Sequence, residues 1–222
     1  MRLTLRMTML GIFLLLGWAG MSLGETIVID FEGFGLESDG FDFSNPGDTL
    51  VLVTRVTNMV APQPDFPYFP DAPNEYTLVV TGLISNGEMV DGIMSTIIYN
   101  LGTLALYEDA SMNSTWDEYP YVETPPSTFV DGSLWLFGDF TDFTMVLFRD
   151  LGMGSFEGHV TLTGGSAFDF FSEEGYTFGG TLIPPHNPDI PDGYHLSLDG
   201  ELWVEEPVNA DESSWSSLKA LY

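Results

Sequence analysis

The chain has 222 residues, 33 acidic against 5 basic, a formal net charge of −28 at pH 7, 17 Phe, 9 Tyr and 5 Trp, and no cysteine. That charge repels nucleic acid and anionic membrane surfaces, and the lack of cysteine removes disulfides, thiolate metal sites and cysteine nucleophiles. So many aromatic anchors argue for a folded chain, whose carboxylates must be solvated or neutralised by bound cations.

Residues 1–24 carry Arg2 and Arg6, an apolar run from Met9 to Ala19, and small residues at Ala19, Gly20, Ser22 and Gly24. This is the order of a secretory signal peptide cleaved after Ala19 or after Gly24, and the run is short for a stable membrane span. No transmembrane span is expected in the mature chain, which keeps only Arg55, Arg149 and Lys219 as permanent cations. Export implies a secreted or cell-surface protein, in the periplasm or on the outer-membrane exterior, and export without disulfides fits a bacterial product.

Residues 25–206 have the length of a single β-domain. Glu25–Phe31 alternates as a strand, the Gly/Asp-rich segment 32–49 reads as a loop, and Leu50–Val56 and Tyr76–Leu83 are Val- and Leu-rich strands. Between them five prolines make residues 61–75 an extended surface loop. Ser95–Tyr107 predicts a hairpin turning at Asn100, Leu101 and Gly102, and a second long loop covers 108–126.

The runs Ser133–Phe137, Phe143–Phe148 and Phe156–Leu162 predict a meander of central strands, apolar on both faces. One face takes Leu134, Leu136, Phe143, Met145, Leu147, Val160 and Leu162; the other takes Trp135, Phe137, Val146 and Phe148. Ser166–Phe171, Tyr176–Ile183 and Tyr194–Val204 complete about eight to ten antiparallel strands, and the class is all-β: an antiparallel, jelly-roll-like β-sandwich.

Residues 207–222 form an acidic linker and a short tail in which Trp215, Leu218, Lys219, Leu221 and Tyr222 suit a capped turn or short helix. In plan, an exported acidic β-domain ending this way resembles bacterial secreted all-β proteins with C-terminal sorting tails. The resemblance covers Ser213–Tyr222 and matches no named tail family, having neither a PEP nor an LPxTG motif. It implies delivery to the cell surface or outer membrane.

No nucleophile elbow, HExxH, P-loop or dinucleotide fingerprint is present, so catalysis has no local signature. His159 and His195 alternate with apolar neighbours and are expected to point outward. Calcium suits the composition, because hard cations take several oxygen ligands; Asn187, Asp189 and Asp192 form one candidate cluster, Glu108, Asp109 and Asp117 another, and Glu37, Asp39 and Asp42 a third. The two long loops also carry aromatic rings, Phe66 and Tyr68 in the first and Trp116, Tyr119 and Tyr121 in the second. Such rings either pin a loop to the domain or bind sugar faces.

The reading reached is a non-enzymatic extracellular or cell-surface structural or adhesive module, stabilised by calcium. The alternative is a carbohydrate-binding module in which loops 61–75 and 108–126 meet a polysaccharide or a cell-surface component. Nothing in the chain fixes its oligomeric state.

Overall fold

The computed structural model describes residues 25–60, 74–121, 124–171, 175–183 and 190–205. Residues 1–24, expected to be a signal peptide, together with Phe66, Tyr68, Asn187, Asp189 and the tail 207–222, lie outside the described residues. The body over residues 27–204 is one compact unit.

Nine strands are present: β1 Glu25–Glu37, β2 Pro46–Met59, β3 Glu75–Asp91, β4 Met94–Asn100, β5 Thr103–Asp109, β6 Ser133–Phe148, β7 Met153–Gly164, β8 Tyr176–Ile183 and β9 Leu196–Glu205. Each pairs with the next in antiparallel register, except that β4 and β5 lie end to end between β3 and β6. β9 is hydrogen-bonded to β1, so the sheet closes. The all-β, antiparallel expectation holds. The sandwich does not: counting β4–β5 as one position, this is an eight-position up-and-down β-barrel.

Four local expectations change with it. Phe143–Phe148 does not follow a hairpin, because β6 runs unbroken from 133 to 148 and absorbs Gly138–Asp142 in register shifts opposite β7. Asn100–Gly102 is not a hairpin either; the chain kinks there, with Leu101 and Gly102 at φ 61° and 104°, and continues in the same direction. The true hairpin turns at Gly92 and Ile93. Ser166–Phe171 forms a short 3-10 turn over Phe168–Phe170 that packs on the core. The segment 32–37, expected in a loop, extends β1.

The barrel interior is filled with side chains. Phe31 stacks on Phe178 at 4.6 Å between centroids, and Phe140, Phe143 and Phe156 complete the cluster at 5.4 to 6.0 Å from their neighbours. An eight-position barrel is just wide enough to be filled in this way. The crowding explains Gly200, where a Cβ would lie 2.7 Å from both the Gly179 carbonyl oxygen and Phe31 Cζ. Leu136, Phe143, Met145, Leu147, Val160 and Leu162 are buried inside as expected. Leu134 and Trp135 exchange roles: a bulge opposite Leu106 and Tyr107 turns Trp135 inward and Leu134 out.

Double coverage falls on β2 and β3 instead of the meander. Leu50, Leu52, Leu78 and Val80 point into the barrel, while Val51, Val53 and Val79 join Leu36, Phe129 and Tyr194 in a second apolar cluster on the outside. Along the middle of β7 and at Asp199 on β9 the outer face is polar, with Glu157, His159 and Thr161 exposed beside it. On these stretches that polarity is the reverse of a lipid-spanning barrel, whose outer band is apolar. Among the described residues no helix is long and apolar enough to cross a membrane.

Candidate functional site

The outer cluster exists because the connection from β5 to β6, residues 110–132, straps across β1, β2 and β3. Ser114 is the clasp. Its Oγ and backbone N–H donate to the Glu75 carboxylate at 2.6 and 2.7 Å, while Arg55 Nε donates to its Oγ at 2.7 Å and Arg55 Nη2 donates to its carbonyl. Thr77 Oγ1 donates to the Phe129 carbonyl at 2.8 Å, and Asn113 Nδ2 to Asp131 at 3.1 Å.

Trp116 is the apolar anchor of this strap. Its ring meets Phe34 edge-on at 4.8 Å, Phe129 at 4.5 Å and Tyr194 at 5.8 Å, with the Arg55 guanidinium 5.0 Å from its centroid. A ring so surrounded fixes the loop. Tyr119 and Tyr121 are different, being 57% and 61% exposed with centroids 5.5 Å apart. Next to the strap, a groove of about 270 Å³ opens between Glu32, Phe34, Arg55, Trp116 and Ser197.

The carboxylates proposed as metal ligands are divided by the fold. Glu108 Oε1 accepts from Tyr76 Oη at 2.6 Å and Asn74 Nδ2 at 2.8 Å, and Asp109 Oδ1 accepts from the Ser111 N–H. Both line an open cleft of about 260 Å³ with Asn74, Asp131 and Ser133. Asp117 does not line that cleft; it is exposed, as is Asp192. Among the described residues no group of three or more His, Asp or Glu side chains is arranged to hold a metal ion. Asp131 is the cleft member that sequence reasoning missed, since only the fold brings it to Glu108.

A second polar centre is buried in the opposite end of the barrel. Glu37 is 1% exposed; its Oε1 accepts from Ser44 Oγ at 2.7 Å and Tyr99 Oη at 2.9 Å, while Oε2 has no protein partner. Burial pushes its carboxyl up to about 7, against the hydrogen bonds from Ser44 and Tyr99, with Asp48 adding to the rise and Arg149 opposing it. Burial and the adjacent Glu37 carboxylate raise the Tyr99 hydroxyl as well.

Arg149 closes this end. Its Nε donates to Glu88 at 2.7 Å and its Nη1 to the Phe41 carbonyl at 2.6 Å, tying residues 38–45 to the β6–β7 turn. Burial pushes the Glu88 carboxyl up, but the hydrogen bonds from Arg149, Ser95 and Ser44 prevail and hold it below the ordinary range. His195 does not stand free on the surface as expected, since its Nδ1 accepts the Glu37 N–H at 3.1 Å and burial lowers its basicity. His159 is exposed and 2.9 Å from Asp142.

What the fold and these sites define is a closed, acidic, antiparallel β-barrel with a packed interior and a strapped outer face. Comparison with known proteins finds no matching family model, no matching curated protein and no matching solved structure.

Proposed function

We propose that the chain is an exported, non-enzymatic structural or adhesive module that acts through its outer surface at or beyond the cell surface. The observation that carries this reading is the packed interior: a barrel filled by Phe31, Phe140, Phe143, Phe156 and Phe178 leaves the outer face and connections to meet a partner. Both arginines of the described body clamp a connection to the barrel, which suits a surface required to keep its shape. Mass spectrometry of protein recovered from the medium or cell envelope should find a chain beginning at Gly20 or Glu25; an intact Met1 counts against export by signal-peptide cleavage.

Calcium is proposed as the stabilising ion, with the Glu108–Asp109 cleft as its place, because these carboxylates line it together with Asp131 and no cation does. Millimolar calcium should raise the melting temperature and EDTA reverse the rise. No change in either direction contradicts the proposal.

A second reading has one observation in its favour. Tyr119 and Tyr121 present two neighbouring exposed rings on a loop held by the Ser114 clasp, the kind of platform on which a sugar ring stacks. Polysaccharide retention that disappears in Tyr119→Ala/Tyr121→Ala would establish it, and an unaltered glycan-array profile would end it.

A further inference from the structure

One face of the barrel breaks the polar rule of the others. Register places Met89 opposite Thr96, Thr96 opposite Val146, Asp91 opposite Met94 and Phe148 opposite Met153, on the adjoining strands β3, β4, β6 and β7. Met89, Met94, Val146 and Met153 therefore share one outer face, and strands about 4.8 Å apart make it continuous. Met89 is 56% exposed, and the turns beyond it add Ile93 and Leu151 at 64% and 60%.

Turn geometry does not require these residues. Gly92 and Gly152 supply the left-handed positions at φ 64° and 63°, so a polar residue would serve equally well at 93 or 151. Leaving several aliphatic side chains in water forgoes roughly 25 cal/mol for each Å² that a partner could cover. Contiguous apolar patches on an otherwise polar surface mark interaction sites, and methionine adapts to varied partners.

The border of the face selects the partner. Asp91, Asp150 and Glu157 are exposed around it, and the nearby cation Arg149 is held by Glu88 and the Phe41 carbonyl. At a net charge of −28, a second copy or an anionic membrane meets like-charge repulsion. We propose that this face docks a cationic amphipathic segment of a partner protein, its aliphatic side chains on Met89, Met94 and Met153 and its lysines or arginines on Asp91, Asp150 and Glu157. The proposal uses no residue of the 110–132 strap, so it stands or falls separately from the sugar and calcium readings.

The test titrates the purified full-length protein with a fluorescently labelled Leu/Lys amphipathic peptide and with its Leu/Glu counterpart. The Leu/Lys peptide should bind saturably, and Met89→Ser/Met94→Ser/Met153→Ser, which leaves every charge in place, should weaken it by about tenfold or more, the scale of losing interface anchors. Asp91→Asn/Asp150→Asn should weaken it too and flatten its salt dependence. Equal binding by the serine variant would show that net charge alone attracts the peptide and would overturn the proposal. So would equal binding of the Leu/Glu peptide, or a self-association that the serine variant abolishes. Should the triple variant melt early, Ile93→Ser/Leu151→Ser, both in turns outside the strand ladders, replaces it with the same expectations.

Discussion

Arg55 and Arg149 each bond a residue about sixty positions away in the chain, and each fixes a connection that would otherwise repel its acidic surroundings. The Glu88 side chain is 1% exposed, so removing Arg149 strands a buried carboxylate. Arg149→Met should destabilise by about 3 kcal/mol, whereas Arg149→Met/Glu88→Gln should recover much of the loss, because breaking a buried pair costs more than replacing it. Urea unfolding of the two single variants and the double variant measures this coupling; additive losses contradict it.

Glu37 has the opposite character, a carboxyl more comfortable protonated. Its folded value near 7 stands above the 4.5 of an unperturbed Glu, so its contribution is fully present below pH 4.5 and is lost as pH rises through 7. At about 1.4 kcal/mol per unit the loss is roughly 3 kcal/mol. The difference in stability between wild type and Glu37→Gln should fall across that window and flatten above it, as read by denaturant unfolding at a series of pH values. A difference independent of pH would show that Glu37 ionises normally. The sequence offers Glu37 only as one carboxylate of a Gly-, Asp- and Ser-rich segment that reads as a loop; Ser44 bonds it from the same segment, Ser85 bonds Ser44, and Tyr99 reaches it only in the folded barrel.

At the scale of elements, glycine is the residue whose meaning depended on the fold. Gly138 with Asp139 and Asp142 resembles a turn, yet a Cβ at 138 would lie 2.7 Å from Val160 Cγ1 and 2.8 Å from the Thr161 carbonyl oxygen, so this glycine permits close strand approach inside β6. Strand period was legible wherever one face was buried and the other wet, as in 143–148 and 156–162. The uninterrupted runs Leu50–Val53 and Leu78–Val80 carried the signal of double coverage, which belonged to the strap and barrel wall rather than to a second sheet.

Gly200→Ala tests the packing directly. Its new methyl would meet the Gly179 backbone as well as Phe31 and Phe156, and backbone cannot swing aside. A loss of about 2 kcal/mol is expected, lowering the melting temperature by roughly 5 °C in a body of this size. An unchanged melting temperature would mean that the interior has room to spare.

The whole molecule was legible as far as its class: acidic, aromatic-rich, antiparallel and single-bodied over 27–204. Closure was not, because the β1–β9 contact joins the two ends of the body and no local pattern distinguishes a strand that closes a barrel from one that edges a sandwich. Of the expected loop aromatics, Tyr119 and Tyr121 stand exposed while Trp116 pins the strap, a division set by whether a partner such as Phe34 lies beneath the ring.

The methionine face has no local signal in the sequence, because Met89 and Met94 reach Met153 only through the β4–β6 and β6–β7 pairings. The central claim is that this barrel is solid and works from its outside. Titrating the purified protein with small apolar ligands, fatty acids and retinoids among them, while following the fluorescence of buried Trp135 tests it most directly. The account predicts no saturable quenching, and one-to-one binding that quenches Trp135 would contradict it.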